Sequence, residues 1–127
     1  MEAKTQQSDN FTAPTPDELL KHFPARIRES YARFVATRDP AAADEVVIAI
    51  VRDHVPAKKL AGTPATLTDA VSLMADLGID SVAIADAVFM LEDVFGVNIA
   101  NKELVRLRTI GDLRAFIRTK LAQQAQG

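Results

Sequence analysis

Apolar residues along this chain recur at three- and four-residue steps, the period of helices that bury one face. Leu20, Phe23, Ile27, Tyr31 and Phe34 form the first such stripe. Thr15, Pro16 and Glu18 before it read as an N-cap, a first-turn proline and a capping-box glutamate. Pro24 falls inside the stripe, so the helix must kink there or give way to a second one. This helical stretch is expected to pack on its own chain, or else to dock a partner or a second copy. Asp39-Pro40 restarts the pattern and opens a helix to about Val55, with Ala43, Val47, Ile50 and Val51 inward and Pro56 as the stop. A long connection follows through Lys58, Lys59, Gly62 and Pro64, and residues 66–76 are expected to hold a short helical turn bearing Val71, Leu73 and Met74.

The next helix is expected from about Asp80 to Phe95, ended by Gly96. Val82, Ile84, Ala85, Val88, Phe89, Leu91 and Phe95 give it a broad apolar surface. A short helix near Lys102 to Leu107 comes next. Thr109 with Asp112 then caps a last helix that turns Ile110, Leu113, Phe116, Ile117 and Leu121 inward. Nothing alternates with period two over a useful length, so the fold class is all-α, a helix bundle with one long loop. Residues 1–14 are polar and aperiodic and are expected to form a disordered tail. Residues 15–39 form a helical extension, and residues 40–123 the main domain.

Composition narrows the chemistry. At 127 residues, 48% hydrophobic and 25% charged, the chain suits one globular core. With no Cys, it has no disulfide, thiolate metal site or cysteine nucleophile. Two histidines, His22 and His54, fall in different elements, so neither a metal centre nor a histidine-based active site is expected. A net charge of -2 argues for neither nucleic-acid nor membrane binding. No apolar run approaches the ~18 residues of a membrane span, and the polar N-terminus resembles neither a signal nor a transit peptide. A cytoplasmic monomer is the expectation. Charge is segregated: residues 41–96 carry -6, residues 97–127 carry +4.

The run Asp76-Leu77-Gly78-Ile79-Asp80-Ser81 places a serine at the first turn of the apolar-faced helix. Three roles are open to it. A nucleophile needs a positioned base, and no histidine or Gly-x-Ser-x-Gly elbow accompanies Ser81. An attachment site needs an exposed hydroxyl on a turn that a foreign enzyme can approach, which Gly78 permits. Helix N-terminal N–H groups would favour an attached phosphate there. The third role is simply to cap the helix, a task that Asp80 could equally perform. Local physics leaves attachment and capping both open.

Here the residues resemble the acyl carrier protein family, whose Asp-x-Gly-x-Asp-Ser core is matched by Asp76 to Ser81. The segments Leu67 to Leu73, Leu91 to Ile99 and Thr109 to Leu113 resemble the family's loop, second-helix end and last-helix start, in the right order. The resemblance implies a four-helix acyl-carrier-like bundle with a long loop between its first two helices, preceded here by the extension. It implies 4′-phosphopantetheine, moved from coenzyme A onto Ser81 by a phosphopantetheinyl transferase, with Asp80 and Gly78 shaping the site. Acyl-transferring and ketosynthase-type enzymes would be the further partners, and the chain itself would not be an enzyme. Val82, Asp86, Phe89, Glu92 and Asp93 would meet partners, and Leu73, Met74, Leu91, Ile99, Leu104 and Leu107 would line an acyl pocket. The bland alternative for those apolar residues is ordinary core. Departures are Val82 in place of the usual Leu, Ala83 and Ala87 thinning the helix, Asn98, Ala100 and Asn101 after it, and a basic C-terminal part. The resemblance implies a carrier for fatty-acid or specialised lipid synthesis, and the departures suit a dedicated carrier of a specialised pathway better than a housekeeping one. A polyketide or peptidyl carrier and an unmodified helical interaction module are the alternatives.

Overall fold

The computed structural model describes residues 15–126, so the expected disordered tail at 1–14 lies outside the described residues. Among the described residues seven helices follow one another: α1 Pro16–Leu19, α2 Ala25–Thr37, α3 Pro40–Asp53, α4 Ala57–Leu60, α5 Ser81–Phe95, α6 Asn101–Leu104 and α7 Ile110–Gln126. The fold is all-α.

The starts of these helices follow from capping chemistry. Thr15 and Glu18 form a reciprocal capping box on α1, with Thr15 N–H donating to Glu18 Oε1 at 2.9 Å. Pro24 separates α1 from α2 rather than kinking one helix, because its missing N–H suits a helix start and not an interior. Asp39 Oδ1 accepts from Ala41 N–H at 3.0 Å and Pro40 takes the first turn of α3. Between α2 and α3, Arg38 adopts a left-handed φ of 61°. That conformation costs a non-glycine residue about 1 kcal/mol. The Arg38 guanidinium donates to Leu121 O at 2.9 Å and Gln124 Oε1 at 3.1 Å and stacks over Phe34, which fixes the turn.

The extension packs on its own chain. Leu20, Ile27 and Phe34 are buried in one cluster with Val47 and Ile50 of α3, Leu91 and Phe95 of α5, and Ile117 and Leu121 of α7. The Phe34 ring meets Phe95 edge-on, with centroids 5.4 Å apart. Across the bundle, Asp44 of α3 accepts from Arg114 at 2.7 Å and from Arg118 at 2.5 Å, both on α7. Arg114 also reaches Asp69 at 2.6 Å, tying the long connection to α7.

That connection departs from expectation. The helical turn lies at α4, and residues 66–76 are turns and extended backbone rather than helix. The reason is where the backbone hydrogen bonds go. Leu73 N–H donates to Arg108 O at 2.9 Å and Ile110 N–H to Val71 O at 3.0 Å, around an antiparallel bridge between Ser72 and Thr109. Leu73 N–H and Val71 O are committed to that pairing, which leaves the i to i−4 bond from Asp76 N–H to Ser72 O at 3.1 Å without a ladder around it. The short α6 ends at Leu104, earlier than the expected Leu107. Among the described residues no helix is long and apolar enough to cross a membrane.

Candidate functional site

Ser81 is the first residue of α5, and the loop before it is tightly built. Asp76 Oδ2 accepts from Ser72 N–H at 2.7 Å, and Ser72 Oγ accepts from Ala75 N–H at 3.0 Å. Gly78 N–H donates to Met74 O and Ile79 N–H to Leu73 O, each at 3.0 Å. Gly78 holds φ at 69°, where a side chain is strained. A Cβ there would also stand 3.1 Å from Lys59 Cγ, since the Lys59 stem crosses this glycine. Leu77 and Ile79 plug the core beneath, so the turn presents Ser81 on a fixed support.

Asp80, not Ser81, caps the helix: its Oδ1 accepts from Ala83 N–H at 2.8 Å. The capping role is thus taken, and the Ser81 hydroxyl is exposed and enters no side-chain hydrogen bond among the described residues. Neither histidine serves it as a base. His54 Nδ1 pairs with Ile50 O at 2.8 Å, and His22 Nε2 lies 3.4 Å from Asp53. Among the described residues no cluster of His, Asp or Glu could hold a metal. The arrangement offers a free hydroxyl on a rigid turn, not an activated nucleophile.

A cavity of about 520 Å³ opens beside Ser81. Its apolar wall includes Met74, Ile84, Ala85, Leu104, Val105 and Leu107, and Ser72, Asn101 and Arg108 supply its polar edge. Met74, Leu104 and Leu107, named from sequence for a pocket, meet here. Leu73 instead lines a narrow void of about 10 Å³ deeper in the bundle, walled from the cavity by Ile84 and Leu107, which face both. Leu91 and Ile99 line neither and are packed in the core. Ile84 and Ala85 were legible as the next turn from Ser81 on the same helix. Ser72, Asn101, Val105 and Arg108 reach the cavity only through the fold. A larger groove, about 710 Å³, lies between α2, α3 and residues 60–67, and Ser81 does not line it.

The surface residues divide likewise. Val82 is 69% exposed and Phe89 49% exposed. Asp86 and Asp93 are exposed. Glu92 is not a free surface group: its Oε2 accepts from Ile99 N–H at 2.6 Å, holding the segment after α5. Elsewhere, burial pushes the Asp44 carboxyl up, but hydrogen bonds from Arg118 and Arg114 outweigh it and leave the pKa below its ordinary value. A backbone N–H bond from Ala100 lowers the Glu103 carboxyl in the same direction.

Fold and site together define a carrier type of protein: a helical bundle presenting one free serine beside an apolar cavity. The family model described as "Phosphopantetheine attachment site" matches residues 57–117. An acyl carrier protein of Exiguobacterium is 36% identical over 77 residues, covering 61% of this chain and 96% of that protein. One from Thermotoga maritima is 34% identical over 64 residues, 50% of this chain and 79% of that one. A meromycolate extension acyl carrier protein of Mycobacterium tuberculosis is 39% identical over 54 residues, 42% of this chain and 47% of that one. No solved structure matches. The chain belongs to the acyl carrier protein family. It carries acyl groups on 4′-phosphopantetheine in fatty-acid or specialised lipid synthesis.

Proposed function

We propose that Ser81 is the residue that bears the phosphopantetheine arm. The observation that carries this reading is the exposed Ser81 hydroxyl, released from capping by Asp80 and opening on an apolar cavity of about 520 Å³. When bound, the group supplies the thiol on which an acyl chain is carried as a thioester. The chain itself has no cysteine to do so. The residues fit the group: the Gly78 turn gives a transferase a clear approach to Ser81, and Met74, Ile84, Leu104 and Leu107 offer an apolar wall within reach.

The protein's own work in this reading is presentation, not catalysis, since Ser81 has no base beside it. Val82 and Phe89 give partners apolar contact area, and Asp86 and Asp93 give them charge. A phosphopantetheinyl transferase and acyl-transferring or ketosynthase-type enzymes are the partners such a surface suits. Residues 40–123 act as the carrier domain and residues 15–39 as a brace on it. A specialised lipid pathway is the reading we favour, supported by the helical brace and by the match to the meromycolate extension carriers. Incubation with coenzyme A and a broad-specificity transferase tests the site: one arm is added to the wild type and none to Ser81→Ala. Equal loading of both would remove Ser81 from the role.

A further inference from the structure

We propose that Arg108 is a positioning residue that pairs with the phosphodiester of the arm and lays the arm across the mouth of the apolar cavity. This rests on the assignment of Ser81 as the attachment serine. Four observations lead to it.

Arg108 and Ser81 line the same cavity, and Arg108 is the one charged residue on its lining among the described residues. The Arg108 backbone is pinned in register with the serine turn. Its N–H donates to Asp112 Oδ2 at 3.0 Å, and its carbonyl accepts from Leu73 N–H at 2.9 Å. The Leu73 carbonyl in turn accepts from Ile79 N–H at 3.0 Å, two residues before Ser81. The Arg108 guanidinium is unspent: among the described residues it joins no ion pair or hydrogen bond, whereas Arg114 and Arg118 are both held by Asp44.

The fourth observation is electrostatic. Asp76 and Asp80 flank the serine turn, their carboxylates engaged by Ser72 N–H and Ala83 N–H. Carboxylates on this turn repel a phosphodiester on Ser81. A guanidinium fork is the group best shaped to offset them, because it grips two phosphate oxygens at once. Held on the Arg108 side, the arm starts toward Leu104 and Leu107. Without that contact the same repulsion drives it outward.

The test uses the full chain, ¹⁵N-labelled and loaded from coenzyme A, with intact mass confirming one arm. Loading is expected to move the Arg108 Nε–H resonance. Arg108→Gln is expected to move the ³¹P resonance of the phosphodiester relative to wild type, and Arg108→Lys to restore part of that shift. Arg106→Gln, which removes an exposed charge off the cavity lining, leaves the ³¹P signal in place. In the octanoyl form, Arg108→Gln is expected to speed hydroxylamine cleavage of the thioester about threefold, the scale of an exposed ion pair. A correct mass with an unmoved Arg108 resonance and identical ³¹P positions in wild type and Arg108→Gln overturns the role of Arg108 alone. An unmodified mass overturns the Ser81 assignment, and the proposal with it.

Discussion

The Tyr31 hydroxyl donates to the Val94 carbonyl at 3.0 Å, joining the N-terminal extension to the far end of the helix that begins at Ser81. The ring of Tyr31 lies 6.2 Å from that of Phe95, and Phe34 closes the same aromatic group. The brace is thus part of the core it covers. Tyr31→Phe is expected to lose about 1 kcal/mol, the net worth of one hydrogen bond. Phe34→Ala is expected to lose about 3–4 kcal/mol, the transfer and cavity cost of a buried ring. Urea denaturation of each variant checks both figures. Deleting residues 1–38 uncovers apolar α3 and α5 surface and is expected to give a chain that melts far lower or aggregates. A truncated chain with the wild-type melting temperature would show that residues 15–38 cover nothing essential.

The Asp44 carboxyl contributes to the response to acid. Its pKa lies below the ordinary 3.8 because the bonds from Arg118 and Arg114 outweigh the upward push of burial. A depressed folded pKa gives stability that is complete above 3.8 and is lost as pH falls through the lower folded value. Asp44→Asn is therefore expected to cost about 2 kcal/mol near neutral pH, the scale of hydrogen bonds to charged groups. The deficit should shrink as wild type and variant are compared in increasingly acid buffer. A deficit independent of pH would assign the loss to packing and not to the ion pairs.

Two acids of α5, Asp86 and Glu92, should behave differently. Glu92→Ala frees the Ile99 N–H and is expected to cost about 1–2 kcal/mol, the cost of an unsatisfied buried donor. Asp86→Lys and Phe89→Ala lie on the exposed face and are expected to stay within about 0.5 kcal/mol of wild type. Those two should instead slow acyl transfer to a partner enzyme while arm loading of the bare chain by high transferase concentrations still completes. Thermal melts beside a transfer assay separate the classes. A large melting loss in Phe89→Ala would place that ring in the core.

Helix identity was legible wherever a cap and a stripe coincided. Thr15 with Glu18, Asp39 with Pro40 and Thr109 with Asp112 each mark a start found in the structure. Residues 66–76 were misread because their partner is distant: Leu73 pairs with Arg108, and no local pattern announces a pairing across that separation. The same cause hid Arg108 and Asn101 from the site. The place of Leu91 and Ile99 is hidden for a different reason. Both are apolar and helix-proximal, and only packing tells a cavity wall from filled core. Glu92 looked like surface because a backbone N–H seven residues ahead cannot be seen from composition. The place of Ser81 at the first turn of its helix is legible in the sequence, and its release from capping comes only with the Asp80 to Ala83 bond.

The central claim is that Ser81 alone bears the arm, and Ser72 sharpens the question because it lines the same cavity. Fragmentation mass spectrometry of the protein isolated from its own host answers it directly. One phosphopantetheine mass is expected on the peptide containing Ser81, and none on the peptide containing Ser72. An arm on Ser72, or a chain that stays unmodified beside a competent transferase, would contradict it.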